Sequence, residues 1–98
     1  VSLVPDAMAK RWGIKGVIIG KVTRGGAADR AGLKGARETM MGQVQLGDII
    51  LSAAGKPVAT IDDLMDVMES HKVGEQVSVE ILRGNRREKV SVVLQAVN

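Results

Sequence analysis

The chain has 98 residues, enough for one hydrophobic core but too few for a catalytic domain with an appended module, so residues 1–98 are read as a single domain. Fourteen basic and eleven acidic side chains give a net charge of +3 with no block of one sign, and a lone Trp without Phe or Tyr denies nucleic-acid bases a stacking platform. There is no cysteine for disulfide or thiol chemistry, and no apolar run of membrane-spanning length, so neither nucleic acid nor membrane insertion is expected.

Val1, Ser2, Leu3 and Val4 make a short β-prone segment ended by Pro5-Asp6, and residues 6–12 have helical composition until Gly13 stops them. The run Val17-Ile18-Ile19-Gly20-Lys21-Val22 is a second buried strand, with Gly20 marking a bend or a close backbone approach. Residues 27–31 make little more than one helical turn, and Gly32-Leu33 fit a left-handed C-cap with a hydrophobic residue folding back. Residues 34–45 lack a clear period and form an inserted loop. Its Met40-Met41 pair is either an adaptable contact surface or, as expected here, a flap over the core.

Ile49, Ile50 and Leu51 follow Gly47-Asp48 without a polar break, which predicts a strand covered on both faces at the centre of the core. The Asp48 carboxylate can accept hydrogen bonds from nearby turn amides. Ala54-Gly55 turns the chain, and Pro57, lacking an N–H, places residues 56–58 on an edge or at a strand start. Thr60 with Asp63 predicts a capping box opening a helix, in which Ile61, Leu64, Met65, Val67 and Met68 form an apolar stripe too wide for one surface. His71-Lys72 are expected to close that helix at its negative end. Residues 76–82 alternate, with Val77, Val79 and Ile81 inward. Gly84-Asn85 is a two-residue hairpin signal, after which Val90, Val92 and Leu94 return the inward face.

Nothing in the chain carries a catalytic signature. His71 is the only histidine and is read as a capping or surface residue, no nucleophile-elbow pattern surrounds any serine, and Arg24-Gly25-Gly26 lacks the Lys-Ser/Thr ending of a phosphate loop. Asp62-Asp63 suit the positive end of a helix better than a metal, so no metal, cofactor or catalytic residue is expected.

The succession GVIIGKV, AADRAGL, LGDIILSAAGKPV, a short amphipathic helix and KVGEQVSVEILRGNRREKVSVVL resembles a PDZ domain of the HtrA/Deg serine proteases over nearly the whole chain. The implied fold is mainly β with two short helices, a permuted five- to six-stranded antiparallel sandwich or partly open barrel capped by helices, with 34–45 as an inserted loop. The implied function is capture of hydrophobic C-terminal or extended segments of unfolded substrates by strand addition between an exposed edge and the long helix. The implied site comprises Val1, Ser2, Leu3 and Val4 on the strand side and Ile61, Leu64, Met65 and Met68 on the helix side. The implied parent is a homo-oligomeric, periplasmic or otherwise extracytoplasmic serine endopeptidase whose protease domain shares the chain, the present domain itself being non-catalytic.

Two departures from the family pattern carry expectations. Val1 matches the final hydrophobic residue of the Leu-Gly-hydrophobic element that ends the family's carboxylate-binding loop, so strand pairing is expected to survive and amide capture of a terminal carboxylate to be impaired. Ala54 stands where relatives often carry Asn before the glycine, which leaves the turn type open. Two alternatives remain, a structural interdomain PDZ module whose helical stripe is filled by its own residues and a PDZ module of another membrane or processing protease; a third class, a small basic RNA-binding β-domain, needs an aromatic-bearing face that this sequence lacks.

Overall fold

The computed structural model describes residues 2–38, 40–84 and 86–94. In chain order the elements are β1 (Ser2–Leu3), α1 (Asp6–Arg11), β2 (Val17–Lys21), α2 (Ala27–Arg30), β3 (Arg37–Glu38), β4 (Val44–Gln45), β5 (Ile49–Ala53), β6 (Lys56–Pro57), α3 (Ile61–Glu69), β7 (Gln76–Arg83) and β8 (Arg86–Val93). Five strands make one open antiparallel sheet in the order β1-β2-β5-β7-β8. β6 folds back on β5, and β3-β4 form a separate hairpin.

The longest pairing is the one the alternating pattern demands. β7 and β8 run in continuous register from Gln76↔Val93 to Arg83↔Arg86. Val77, Val79 and Ile81 are buried and Val92 nearly so, while Gln76 and Ser78 stay exposed. Asn85, in the two-residue connection, lies outside the described residues. Helix α2 ends as its sequence predicts. Gly32 has φ +84°, its N–H donates to Asp29 O and that of Leu33 to Ala28 O, and the buried Leu33 side chain folds back on the core.

One ionic network ties three distant turns together. The Asp48 carboxylate, 3% exposed, accepts from the Lys34 N–H at 2.9 Å and from Arg83 through Nε at 2.9 Å and Nη2 at 2.7 Å. Arg83 Nη2 also donates to Gly32 O at 2.9 Å, and Nη1 reaches Glu88 at 3.1 Å. The Gly32, Gly47-Asp48 and Arg83-Gly84 segments therefore meet at one buried carboxylate. Burial alone would push the Asp48 carboxyl up, but the Arg83 guanidinium and the Lys34 amide outweigh it and hold the group below its ordinary range. Gly47 belongs to the same junction for steric reasons. A Cβ there would stand 2.5 Å from both Gly35 C and Ile19 O, so no side chain fits.

Four sequence expectations change in the structure. The strand covered on both faces is β2, where Val17, Ile18 and Ile19 are 1%, 0% and 1% exposed, because α1 packs on its second face and buries Ala9. In β5, by contrast, Ile50 and Ala53 are buried while Ile49 and Leu51 are only half-buried. The segment 34–45 holds the β3-β4 hairpin, and Met40 and Met41 project from it at 106% and 87% exposure, so they cover no core. The His71 ring pairs with the Glu75 carboxylate rather than with the end of α3; the helix closes at Ser70, and it is the His71 backbone N–H that caps, donating to Met68 O at 3.2 Å. Three helices are present rather than two. At the Ala54-Gly55 turn both residues have positive φ, +51° and +79°, the pattern of a tight two-residue hairpin turn.

Candidate functional site

β1 is the end strand of the sheet. β2 takes one side of it, and among the described residues no strand takes the other. The Val4 N–H donates to Ile18 O at 2.9 Å, and successive residues of a strand point their backbone groups to opposite sides. The N–H and C=O of Leu3 therefore face the open edge. Leu3 stands opposite Ile19, shares its inward face and packs against the core. Between Leu3 and Ser2 the register slips, Ser2 facing Lys21 and Gly20 becoming the extra residue of a bulge. This slip turns Lys21 outward and exposed while Val22 returns to the core.

Helix α3 forms where Thr60 and Asp63 satisfy each other's backbone. The Asp63 N–H donates to Thr60 Oγ1 at 3.1 Å, and the Asp63 carboxylate accepts from the Thr60 and Ala59 N–H groups at 3.2 and 3.0 Å. A further N-terminal amide, that of Ile61, donates to Asp6 Oδ1 at 3.1 Å. Asp6 opens α1 directly after β1, so this bond fixes the start of α3 beside the end of the edge strand. Sequence reading missed Asp6. Pro5-Asp6 marks a helix start by composition, but nothing local announces a partner 55 residues away.

The predicted site residues take unequal positions. Val1 lies outside the described residues, and Ser2 and Leu3 form β1. Val4 is half-buried and bonded to β2. Leu64 is 5% exposed and belongs to the core cluster with Val67, while Ile61 and Met68 are half-buried against that cluster. Met65 is 42% exposed at the border of the apolar stripe. The structure thus packs Leu3, Ile61 and Met68 on one core, with Leu64 inside it and Met65 standing out.

Charge is distributed unevenly around this region. Asp62, Asp66 and Glu69 are exposed on α3, whereas Lys21, Arg24 and Lys34 are exposed on and beyond β2. Two shallow open depressions lie elsewhere, one lined by Lys21, Val22, Lys34, Gly35 and Ala36, the other by Lys56, Pro57 and the Asp63–Ser70 side of α3. Among the described residues no cluster of His, Asp or Glu could hold a metal ion, and no helix is long and apolar enough to cross a membrane. What the region offers chemically is an unpaired strand edge, an apolar shelf and a bordering helix.

Residues 3–94 match the family described as PDZ domain. The chain is 37% identical over 95 residues to Protease Do-like 1, chloroplastic, of Arabidopsis thaliana, covering 97% of this chain and 22% of the relative. It is 32% identical over 97 residues to a probable periplasmic serine endoprotease DegP-like of Ectopseudomonas mendocina (strain ymp), covering 96% of this chain and 18% of the relative. The chain therefore spans about a fifth of the length of these curated relatives. Among solved structures, an HtrA-type protease AlgW with decapeptide superimposes with a TM-score of 0.70 at 19% identity, over 100% of this chain and 28% of that one, a likeness of fold.

Proposed function

The chain belongs to the PDZ-domain family, in the form carried by HtrA/Deg-type serine proteases, and on that premise we propose that it captures extended hydrophobic segments or C-termini of polypeptides by adding them as a strand to the open edge of β1. The observation that carries this reading is the outward-facing backbone of Leu3 at an edge whose neighbouring helix presents an exposed Met65. Backbone pairing supplies the affinity common to all sequences, and an inward-facing apolar side chain would settle among Leu3, Ile61, Met65 and Met68, with Leu64 as the floor. The solved protease carrying a decapeptide agrees with a peptide as the occupant.

The domain is the non-catalytic module of such proteins. The endopeptidase activity, the homo-oligomeric assembly and an extracytoplasmic location belong to the proposed longer parent. Relatives named as periplasmic support that location, while others are named as chloroplastic.

Titration of the labelled domain with a short peptide ending in an apolar residue tests the reading. Amide shifts are expected at Leu3 and Val4 and across residues 61–68. Shifts confined to the Gly84 turn or to the Met40 hairpin would place binding elsewhere. A second reading, a purely structural interdomain module, draws on the burial of Leu64 and the half-burial of Ile61 and Met68 by the domain's own core. The absence of any saturable shift would favour it.

A further inference from the structure

We propose that Lys21 gives the domain a preference for an acidic side chain at one position of the added strand, the residue lying opposite Ser2. The proposal rests on strand addition at β1 and specifies what that site selects.

The register assigns the position. An incoming residue opposite Leu3 bonds to the outward N–H and C=O of Leu3 and shares its inward face, so it is held to apolar side chains. Its neighbour opposite Ser2 points to the other face of the sheet. That is the face onto which the Gly20 bulge turns Lys21, directly across from Ser2. Two strand spacings separate the Lys21 backbone from that incoming residue, roughly 10 Å, a gap that a lysine and a glutamate leaning toward each other can bridge.

The surroundings reinforce the sign. Lys34 lines the same depression as Lys21, and the Ala36 N–H bond to Gly20 O at 3.0 Å keeps its segment against the end of β2. Arg24 and Arg30 are exposed along the same stretch. The single carboxylate between residues 21 and 36 is that of Asp29, which accepts from the Gly25 N–H at 2.9 Å. Across the site, α3 exposes Asp62, Asp66 and Glu69. An acidic side chain aimed toward the helix meets like charge, and one aimed toward Lys21 meets opposite charge. An exposed ion pair of this kind changes affinity about two- to fivefold.

The test uses eight-residue Ala/Ser peptides ending in Val, with Glu, Gln or Lys as the penultimate residue, which lies opposite Ser2 when an antiparallel peptide seats its third-from-last residue opposite Leu3, measured by calorimetry against the wild type, Lys21→Gln, Lys34→Gln and the distant control Lys56→Gln. The wild type should bind the Glu peptide about two- to fivefold tighter than the Gln peptide and the Lys peptide more weakly still. That ratio should fall to about one in Lys21→Gln or in about 1 M salt, fall partly in Lys34→Gln and persist in Lys56→Gln. Moving the Glu to the final or third-from-last position should weaken binding. A wild-type ratio of one with all peptides bound, or a ratio unchanged by Lys21→Gln, overturns the role of Lys21 while leaving strand addition standing. Failure of every peptide to bind sinks both.

Discussion

Replacing Arg83 with Met keeps the aliphatic stem and removes the guanidinium from a carboxylate that has little else to rely on. Among the described residues, the Asp48 carboxylate would keep the Lys34 amide and the nearby Lys34 charge and would lose two charge-assisted bonds of 2.9 and 2.7 Å; the Gly32 carbonyl would lose a donor as well. Orphaning a fully buried charge costs about 3–5 kcal/mol. The Arg83 side chain is 35% exposed, so water can enter where it leaves, and the cost is reduced to about 2–3 kcal/mol. For a domain of this size that is a large share of a total of about 5–10 kcal/mol and lowers Tm by roughly 8–24 °C.

The pH dependence carries a second signature of the same bond. The Asp48 carboxyl is held below its ordinary value of 3.8, so it contributes stability above that value and loses the contribution as pH falls through its folded-state pKa. In Arg83→Met the strongest of the contacts that lower this pKa is gone, so the folded-state pKa moves back up toward its ordinary value and less stability is lost on acidification. Urea melts followed by circular dichroism should therefore show the gap between wild type and Arg83→Met narrowing from pH 7 to pH 3. A double-mutant cycle with Asp48→Asn should give a coupling of about 1–2 kcal/mol. A midpoint for Arg83→Met within about 0.5 kcal/mol of wild type at pH 7, or simple additivity in the cycle, would show that the network does not hold the three turns together.

Ala54→Asn should stabilise the domain by about 0.5–1 kcal/mol in the same melts, because Asn tolerates the φ of +51° that strains alanine, and a loss of stability would mean the turn is not left-handed in solution. Gly32→Val should cost about 1–2 kcal/mol although its Cβ would meet open space, since the penalty there is the φ of +84° and not a clash; an unchanged midpoint would refute that conformation. Met65→Glu should abolish binding of apolar peptides with little change in the melt, whereas Leu64→Ala next to it should cost about 2–5 kcal/mol in stability. Peptide binding by Met65→Glu at wild-type affinity would remove α3 from the site. Asp6→Ala should weaken peptide binding more than it lowers the denaturation midpoint, by freeing the start of α3 from the edge strand; equal proportional losses would make Asp6 a purely structural cap.

Local chemistry made much of the fold legible. The Thr60-Asp63 box, the Gly32-Leu33 cap, the alternation in β7 and β8 and the two-residue links depend on residues a few positions apart, and those interactions form almost regardless of what packs around them. For the same reason the apolar stripe on residues 61–68 could be read from helical spacing alone. The tertiary structure decided how each stripe and strand is used. Leu64 and Met65 are adjacent and both apolar, yet a rotation of about 100° along the helix puts one in the core and leaves the other out. Ile49 and Leu51 looked fully buried because their run is unbroken, but coverage of a second face depends on where α1 docks, and it docks on β2. The partners of Asp6 and Asp48 lie 55 and 35 residues away, beyond any local pattern. Lys21 is turned outward only because one residue of β2 has no counterpart in β1. Sequence thus specified the elements and their ends through short-range bonds, and packing between distant segments selected which of their faces remain open to a partner.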